Sequence, residues 1–189
     1  MSIHNFLTEI KNNLLKNNIF DKNQRMATDI IFNKDDNSAS VYIMKIFAVD
    51  VSEVWNHFTM ADLIDLWWAP QPWKCQTLQM NFEPEGIWNY EMIDPEGEKY
   101  LGGVHYHEIN YHRSFDYTDF FADEAGNINT ELPSVNWLIG FTGVQEGTKL
   151  TINIHFHSTD EMQQLLDMGF ETDFKMRLTQ LEALLNQKD

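Results

Sequence analysis

The stretch Ser158–Gln187, STDEMQQLLDMGFETDFKMRLTQLEALLNQ, decides how the rest of the chain is read. Its apolar residues Met162, Leu165, Leu166, Phe170, Phe174, Leu178, Leu181, Leu184 and Leu185 recur at the spacing that places them on one stripe of an amphipathic helix. A stripe of this width needs an apolar surface to cover. Ser158 followed by Glu161 has the capping-box pattern, in which hydroxyl and carboxylate satisfy orphan backbone N–H groups at a helix start. Gly169 lies inside the run, where glycine costs about 1 kcal/mol relative to alanine, so a kink or break is expected there with the longer segment following it. What precedes the stretch is mostly strand-like. The expectation is an α+β fold in which a curved antiparallel sheet wraps over one long C-terminal helix, a shape able to enclose a cavity.

Working back from that helix, Leu150, Ile152, Ile154 and Phe156 alternate on one strand, and Val135, Trp137, Ile139 and Phe141 on another. Phe115, Tyr117, Asp119 and Phe121 share one parity, and Tyr100–Ile109 forms the strand before them. Trp88, Tyr90 and Met92 alternate with Asn89 and Glu91, and Leu78, Met80 and Phe82 with Thr77, Gln79 and Asn81. The turns Glu83-Pro84-Glu85-Gly86 and Asp94-Pro95-Glu96-Gly97 combine the preset φ of proline with the positive φ open to glycine. Short connections between such strands make an antiparallel meander. The one long loop, Asp123–Pro133, is read as a surface excursion, with a rim or lid as the alternative.

Before the hairpins, Asp50 with Glu53 can cap a helix carrying Val54, Trp55 and Phe58, and Thr59 with Asp62 has capping-box spacing for a second carrying Leu63, Leu66 and Trp67. Pro70 ends that second helix by restricting the residue before it. Ala27–Phe32 and Ser40–Val49 read as a first hairpin about the turn residues 33–37. At the front, Ile3, Phe6, Leu7, Ile10, Leu14 and Leu15 make another helical stripe. Residues 1–25 are therefore read as a helical extension, and 26–189 as a single domain. The extension is expected to cover part of the sheet, with an interaction arm or homodimer contact as the sharper alternative.

Composition narrows the function classes. Against 29 Asp and Glu stand 13 Lys and Arg, a formal net charge of −16, which disfavours nucleic acid and anionic membrane surfaces as partners. No apolar run approaches membrane-spanning length, the N-terminus lacks a signal-peptide pattern, and a single cysteine, Cys75, permits no internal disulfide; a cytoplasmic setting is expected. Cys75 reads as a small hydrophobe in a strand rather than a nucleophile. Aromatic residues, at 13%, are the unusual feature.

The order of elements is the helix-grip arrangement, and at Trp67-Trp68-Ala69-Pro70 it becomes more specific. Val51–Pro70 resembles the helix-helix-"WWxP" segment of the family named for the activator of the heat-shock protein 90 ATPase, in the START/birch-allergen-like superfamily. Pro84-Glu85-Gly86, Gly103–Ile109, Gly147-Thr148-Lys149-Leu150-Thr151 and Gly169 follow in register, so the resemblance covers roughly residues 40–187. Phe170 stands where the family commonly carries Trp. The resemblance implies a hydrophobic cavity between sheet and final helix, but no single activity: proteins of this shape include lipid or polyketide carriers, cyclases, hormone receptors and co-chaperone domains.

The aromatic parities bring Trp88, Tyr90, Met92, Tyr117, Trp137 and Phe141 towards Phe170 and Phe174 of the final helix. They either fill a core or line a pocket whose Tyr hydroxyls and Trp indole N–H groups orient a ligand; the resemblance favours the pocket, with Trp67, Trp68 and Trp73 near its mouth. Asp119 shares the inward parity of Tyr117, where desolvation would raise its pKa, and Glu108 is a second carboxylate of open orientation. Neither has a neighbouring His or Ser that completes a catalytic set. His105-x-His107 and His155-x-His157 have metal-ligand spacing, but the second pair lies opposite the apolar face of its strand and the two strands are not neighbours in a meander, so neither metal nor cofactor is expected. Glu171, Asp173, Lys175 and Glu182 read as the solvated face of the final helix. The resulting expectation is binding of a small apolar or amphipathic molecule. The alternatives are a protein-interaction or co-chaperone module and, less favoured, an enzyme acting on a hydrophobic carbonyl compound with Asp119 or Glu108 as base.

Overall fold

The computed structural model describes residues 30–122 and 134–187. The helix expected in residues 1–25, the loop Asp123–Pro133 and the start of the first expected strand lie outside the described residues. The elements are β1 (Ile31–Asp35), β2 (Ser40–Phe47), α1 (Val51–Thr59), α2 (Ala61–Ile64), β3 (Lys74–Met80), β4 (Ile87–Ile93), β5 (Lys99–Asn110), β6 (Ser114–Phe121), β7 (Asn136–Val144), β8 (Gly147–His155), α3 (Thr159–Asp167) and α4 (Phe170–Leu185).

The eight strands form one antiparallel sheet in the order β1-β2-β8-β7-β6-β5-β4-β3. After the β1–β2 hairpin the chain crosses to the far edge through α1 and α2. It then returns strand by strand until β8 pairs with β2, from Ser40 opposite His155 to Phe47 opposite Thr148. This is the expected helix-grip architecture, with α4 burying Phe174, Leu178 and Leu181 against the inner face of the sheet. The alternation predicted for β7 and β8 holds: Trp137, Ile139, Phe141, Leu150, Ile152 and Ile154 are all buried.

The C-terminal run breaks at Gly169, whose φ of +95° is the left-handed conformation that a side chain resists. Ser158 is the N-cap of α3, its hydroxyl accepting from Glu161 N at 3.2 Å. One side chain of α4 ties it to the segment after α2. Gln180 Nε2 donates to the carbonyls of Ala69 at 2.8 Å and Trp67 at 3.2 Å, and Gln180 Oε1 accepts from Gln71 N at 2.8 Å.

Several local expectations change. The first turn spans 36–39 rather than 33–37, because Asn33, Lys34 and Asp35 pair with Tyr42, Val41 and Ser40. The Asp35 carboxylate closes it, accepting from Asn37 N and Ser38 Oγ. Asp50 occupies the N-cap position of α1 without a side-chain cap bond. Thr59 caps nothing: α1 runs through it, so its backbone is helical and its hydroxyl donates back to Trp55 O at 3.0 Å, and α2 starts after Met60. On β3, a bulge between Thr77 and Gln79 resets the alternation, leaving Leu78 exposed and Cys75 buried. In the turn before β4 the positive φ falls on Glu85, not Gly86; Gly86 is needed because a Cβ there would overlap the Asn81 carbonyl oxygen.

Candidate functional site

Inward-pointing aromatics of the sheet and α4 form one continuous wall. Trp137 on β7 lies with its ring centroid 6.0 Å from Phe170 and 5.6 Å from Phe174, and Tyr117 on β6 stacks on it at 5.8 Å. Trp68, in the segment after α2, meets Phe174 at 6.5 Å, Trp88 at 5.4 Å and Tyr90 at 6.4 Å. Tyr90 also packs against Trp88 and lies across Gly102 on β5, where a Cβ would stand 3.0 Å from its ring and hydroxyl. Met92 is buried on the same strand, opposite Cys75.

Two of the expected pocket residues belong elsewhere. Phe141 packs against Trp55, Phe58 and Phe115 beneath α1, away from Phe170 and Phe174. Trp67 packs on Phe58 and donates its indole N–H to His57 O at 2.9 Å, so it ties α1 to the following segment. Nor do Trp67, Trp68 and Trp73 stand at a mouth: they are 0%, 5% and 4% exposed. Three aromatic rings in so short a segment minimise their hydration by turning inward together.

The largest departure concerns the charges of α4. Asp173 and Glu182, expected on the solvated face, are turned inward, while Glu171 and Lys175 do pair at the surface. Asp173 is 4% exposed and Arg177 9%, and Arg177 Nη2 forms an ion pair with Asp173 Oδ2. One turn further on, Glu182 pairs at 3.0 Å with Lys45, which is fully buried on the inner parity of β2 between Ile43 and Phe47. Both groups were visible as charges in phase with apolar residues: Lys45 alternates with Val41, Ile43 and Phe47, and Asp173 and Arg177 flank Phe170, Phe174 and Leu178.

The Asp173–Arg177 pair leaves hydrogen-bonding capacity over. Asp173 Oδ1, Arg177 Nε and Trp68 Nε1 are buried without a well-formed hydrogen bond in the protein, the Trp68 N–H being turned to the Tyr90 hydroxyl. The guanidinium carbon sits 5.7 Å from the Trp68 ring, a cation–π arrangement. Its charge reaches Cys75 on β3, Tyr90 on β4 and Tyr117 on β6, so Arg177 faces the half of the sheet that ends at β3. Burial pushes all three of these groups further from ionisation and holds the Asp173 carboxyl above its ordinary range, against the pull of Arg177.

Asp119 is half-buried and inward, as its parity implies, but its carboxylate serves its own chain. Oδ1 accepts from Val135 N at 2.7 Å and Oδ2 from Trp137 Nε1 at 3.0 Å. Desolvation pushes its pKa up to about 7 despite these two bonds. Glu108 is exposed, within a bulge between Tyr106 and Ile109, and accepts from Asn110 Nδ2; it does not reach the interior. His155 and His157 are exposed, and His107 Nε2 lies 2.8 Å from Thr118 Oγ1. Among the described residues, no three His, Cys, Asp or Glu are grouped to hold a metal.

Comparison with known proteins places this geometry. A family model described as activator of Hsp90 ATPase homolog 1-like protein matches residues 48–186. The solved structure of protein Ms6760 from Mycobacterium smegmatis is similar, with a TM-score of 0.77 at 28% identity over 85% of this chain and 99% of that one. A solution structure from Arthrobacter aurescens gives 0.78 at 27% identity, covering 84% and 92%. Another from Staphylococcus epidermidis gives 0.75 at 26%, covering 84% and 94%. No curated protein matches the chain.

Proposed function

The chain belongs to the family of activator of Hsp90 ATPase homolog 1-like proteins, and from that premise we propose that it binds a small amphipathic molecule between its sheet and α4. The observation that carries the reading is the Asp173–Arg177 pair with its leftover polar atoms, set against Trp68 and Phe174. A buried ion pair is a poor source of stability, because desolvating both ions offsets their attraction, and leaving a donor or acceptor unmet costs about 1–3 kcal/mol more. An interior that keeps three such atoms beside an aromatic wall is arranged as ligand sites are: apolar lining with a few convergent polar groups.

On this reading Trp88, Tyr90, Tyr117, Trp137, Phe170 and Phe174 bury the apolar body of the ligand, at about 25 cal/mol per Å² of apolar surface. Asp173, Arg177 and Trp68 meet its polar end. Asp119 acts on the ligand only through Trp137, which it positions. Native mass spectrometry of protein purified without detergent is the test, followed by release and identification of any small molecule under denaturing conditions. A reproducible adduct of one chemical class is expected. A bare mass, together with no uptake of an apolar dye, overturns the reading.

A further inference from the structure

We propose that the ligand's polar end is uncharged and presents an N–H or O–H donor beside a carbonyl acceptor, as a primary amide, lactam or hydroxy-ketone does, with Asp173, Arg177 and Trp68 as its recognition residues. This rests on the ligand-binding reading above and adds the chemistry of the head group.

The first support is the inventory of open atoms. Asp173 Oδ1 is an acceptor, while Arg177 Nε–H and Trp68 Nε1–H are donors. A head group that satisfies all three offers one donor to the carboxylate and an oxygen to the guanidinium and indole. Two other indoles of the aromatic wall are already engaged: Trp88 Nε1 donates to Thr77 Oγ1 at 2.9 Å and Trp137 Nε1 to Asp119. Trp68 is the indole that lies against the Arg177 guanidinium.

The second support is charge. Asp173 and Arg177 already balance one another, and the titratable groups facing them from the sheet, Cys75, Tyr90 and Tyr117, are held neutral by burial. Two further acids lie near these groups, Asp119 acting on Tyr90 and Tyr117 and Asp65 on Cys75, and both add negative charge when ionised. A carboxylate entering here would stand beside Asp173, and the other buried cation, Lys45, is already paired with Glu182. An ammonium would face Arg177. Either ion would lose its hydration without a net counter-charge, whereas an amide-like group replaces its water by hydrogen bonds of the same number.

Three eight-carbon probes with one tail and different ends separate these cases: octanamide, octanoate and octylamine. Each competes near neutral pH for the full chain against the neutral dye N-phenyl-1-naphthylamine, and the indole N–H resonances are followed in parallel. Octanamide is expected to displace the dye at a concentration about tenfold lower than either ion, corresponding to about 1.4 kcal/mol, and to shift the Trp68 indole resonance. In Asp173→Asn/Arg177→Gln, checked for fold by circular dichroism, the ranking is expected to vanish; should that variant not fold, the ranking in the unaltered protein decides. Dye uptake with octanoate or octylamine binding as well as octanamide overturns the head-group assignment and leaves the pocket reading standing. No dye uptake and no indole shift with any probe overturns both.

Discussion

At the scale of single residues, the inward carboxylate of β6 shows how one side chain can be buried without being a catalyst. Both oxygens of Asp119 are engaged, one by the backbone of Val135 and one by the indole of Trp137. Its job is to set the plane of a ring that contacts Phe170 and Phe174. Because burial raises its pKa from 3.8 to about 7, the folded protein holds a proton there that the unfolded chain releases. The stability this contributes is fully present below about pH 4 and is lost as pH rises through about 7. Protonation also removes the charge that strengthens the bond from Trp137. The Trp137 indole N–H resonance is therefore expected to titrate with a midpoint near 7, and Asp119→Asn to abolish that titration. A resonance that stays flat between about pH 5.5 and 8.5 would show that this carboxyl does not change state there.

At the scale of elements, the parts legible in the sequence are those where one physical signal dominates. Strands β2, β7 and β8 alternate cleanly because one face of each is packed and the other is more open. The break at Gly169 is legible because a left-handed residue favours glycine. The illegible parts are tertiary. Bulges at Thr77 and after Tyr106 shift parity by a residue with no local signature, which misplaces Leu78 and leaves Glu108 undecided. Asp173 and Glu182 read as solvated because charge is the usual mark of an outer face; the phase of Asp173 and Lys45 with apolar neighbours hints otherwise, but the packing that turns them inward, with Arg177 and Lys45 as partners, is tertiary. The role of Gln180 was likewise hidden, since its hydrogen bonds reach more than a hundred residues back to Trp67, Ala69 and Gln71. Gln180→Leu keeps the side chain's bulk and removes all three bonds at the junction of α4 with the tryptophan segment. It is expected to lower stability by about 1–3 kcal/mol in urea unfolding, as unmet backbone groups do when partly buried. An unchanged midpoint would mean that water replaces the amide there at no cost.

At the scale of the whole molecule, the question is why a fold with so continuous an aromatic interior keeps an ion pair inside it. Were the pair a device for stability, replacing both partners by apolar residues of similar size would weaken the protein. The energetics run the other way: two desolvated ions with unmet polar atoms are outperformed by well-packed apolar side chains, whereas removal of one partner strands a buried charge. Arg177→Met alone is therefore expected to destabilise the chain by about 3–5 kcal/mol, while Asp173→Leu/Arg177→Met is expected to be neutral or more stable, by up to about 4 kcal/mol. The same double variant should lose discrimination among polar head groups, since the apolar wall is intact and the polar atoms are gone. Parallel urea unfolding and competition binding read both quantities on one preparation. A double variant much less stable than the natural sequence would make the pair a structural element, and the polar recognition assigned to α4 would lose its energetic motive. A double variant that is stable but indiscriminate would instead identify the cost of those charges as one borne for binding.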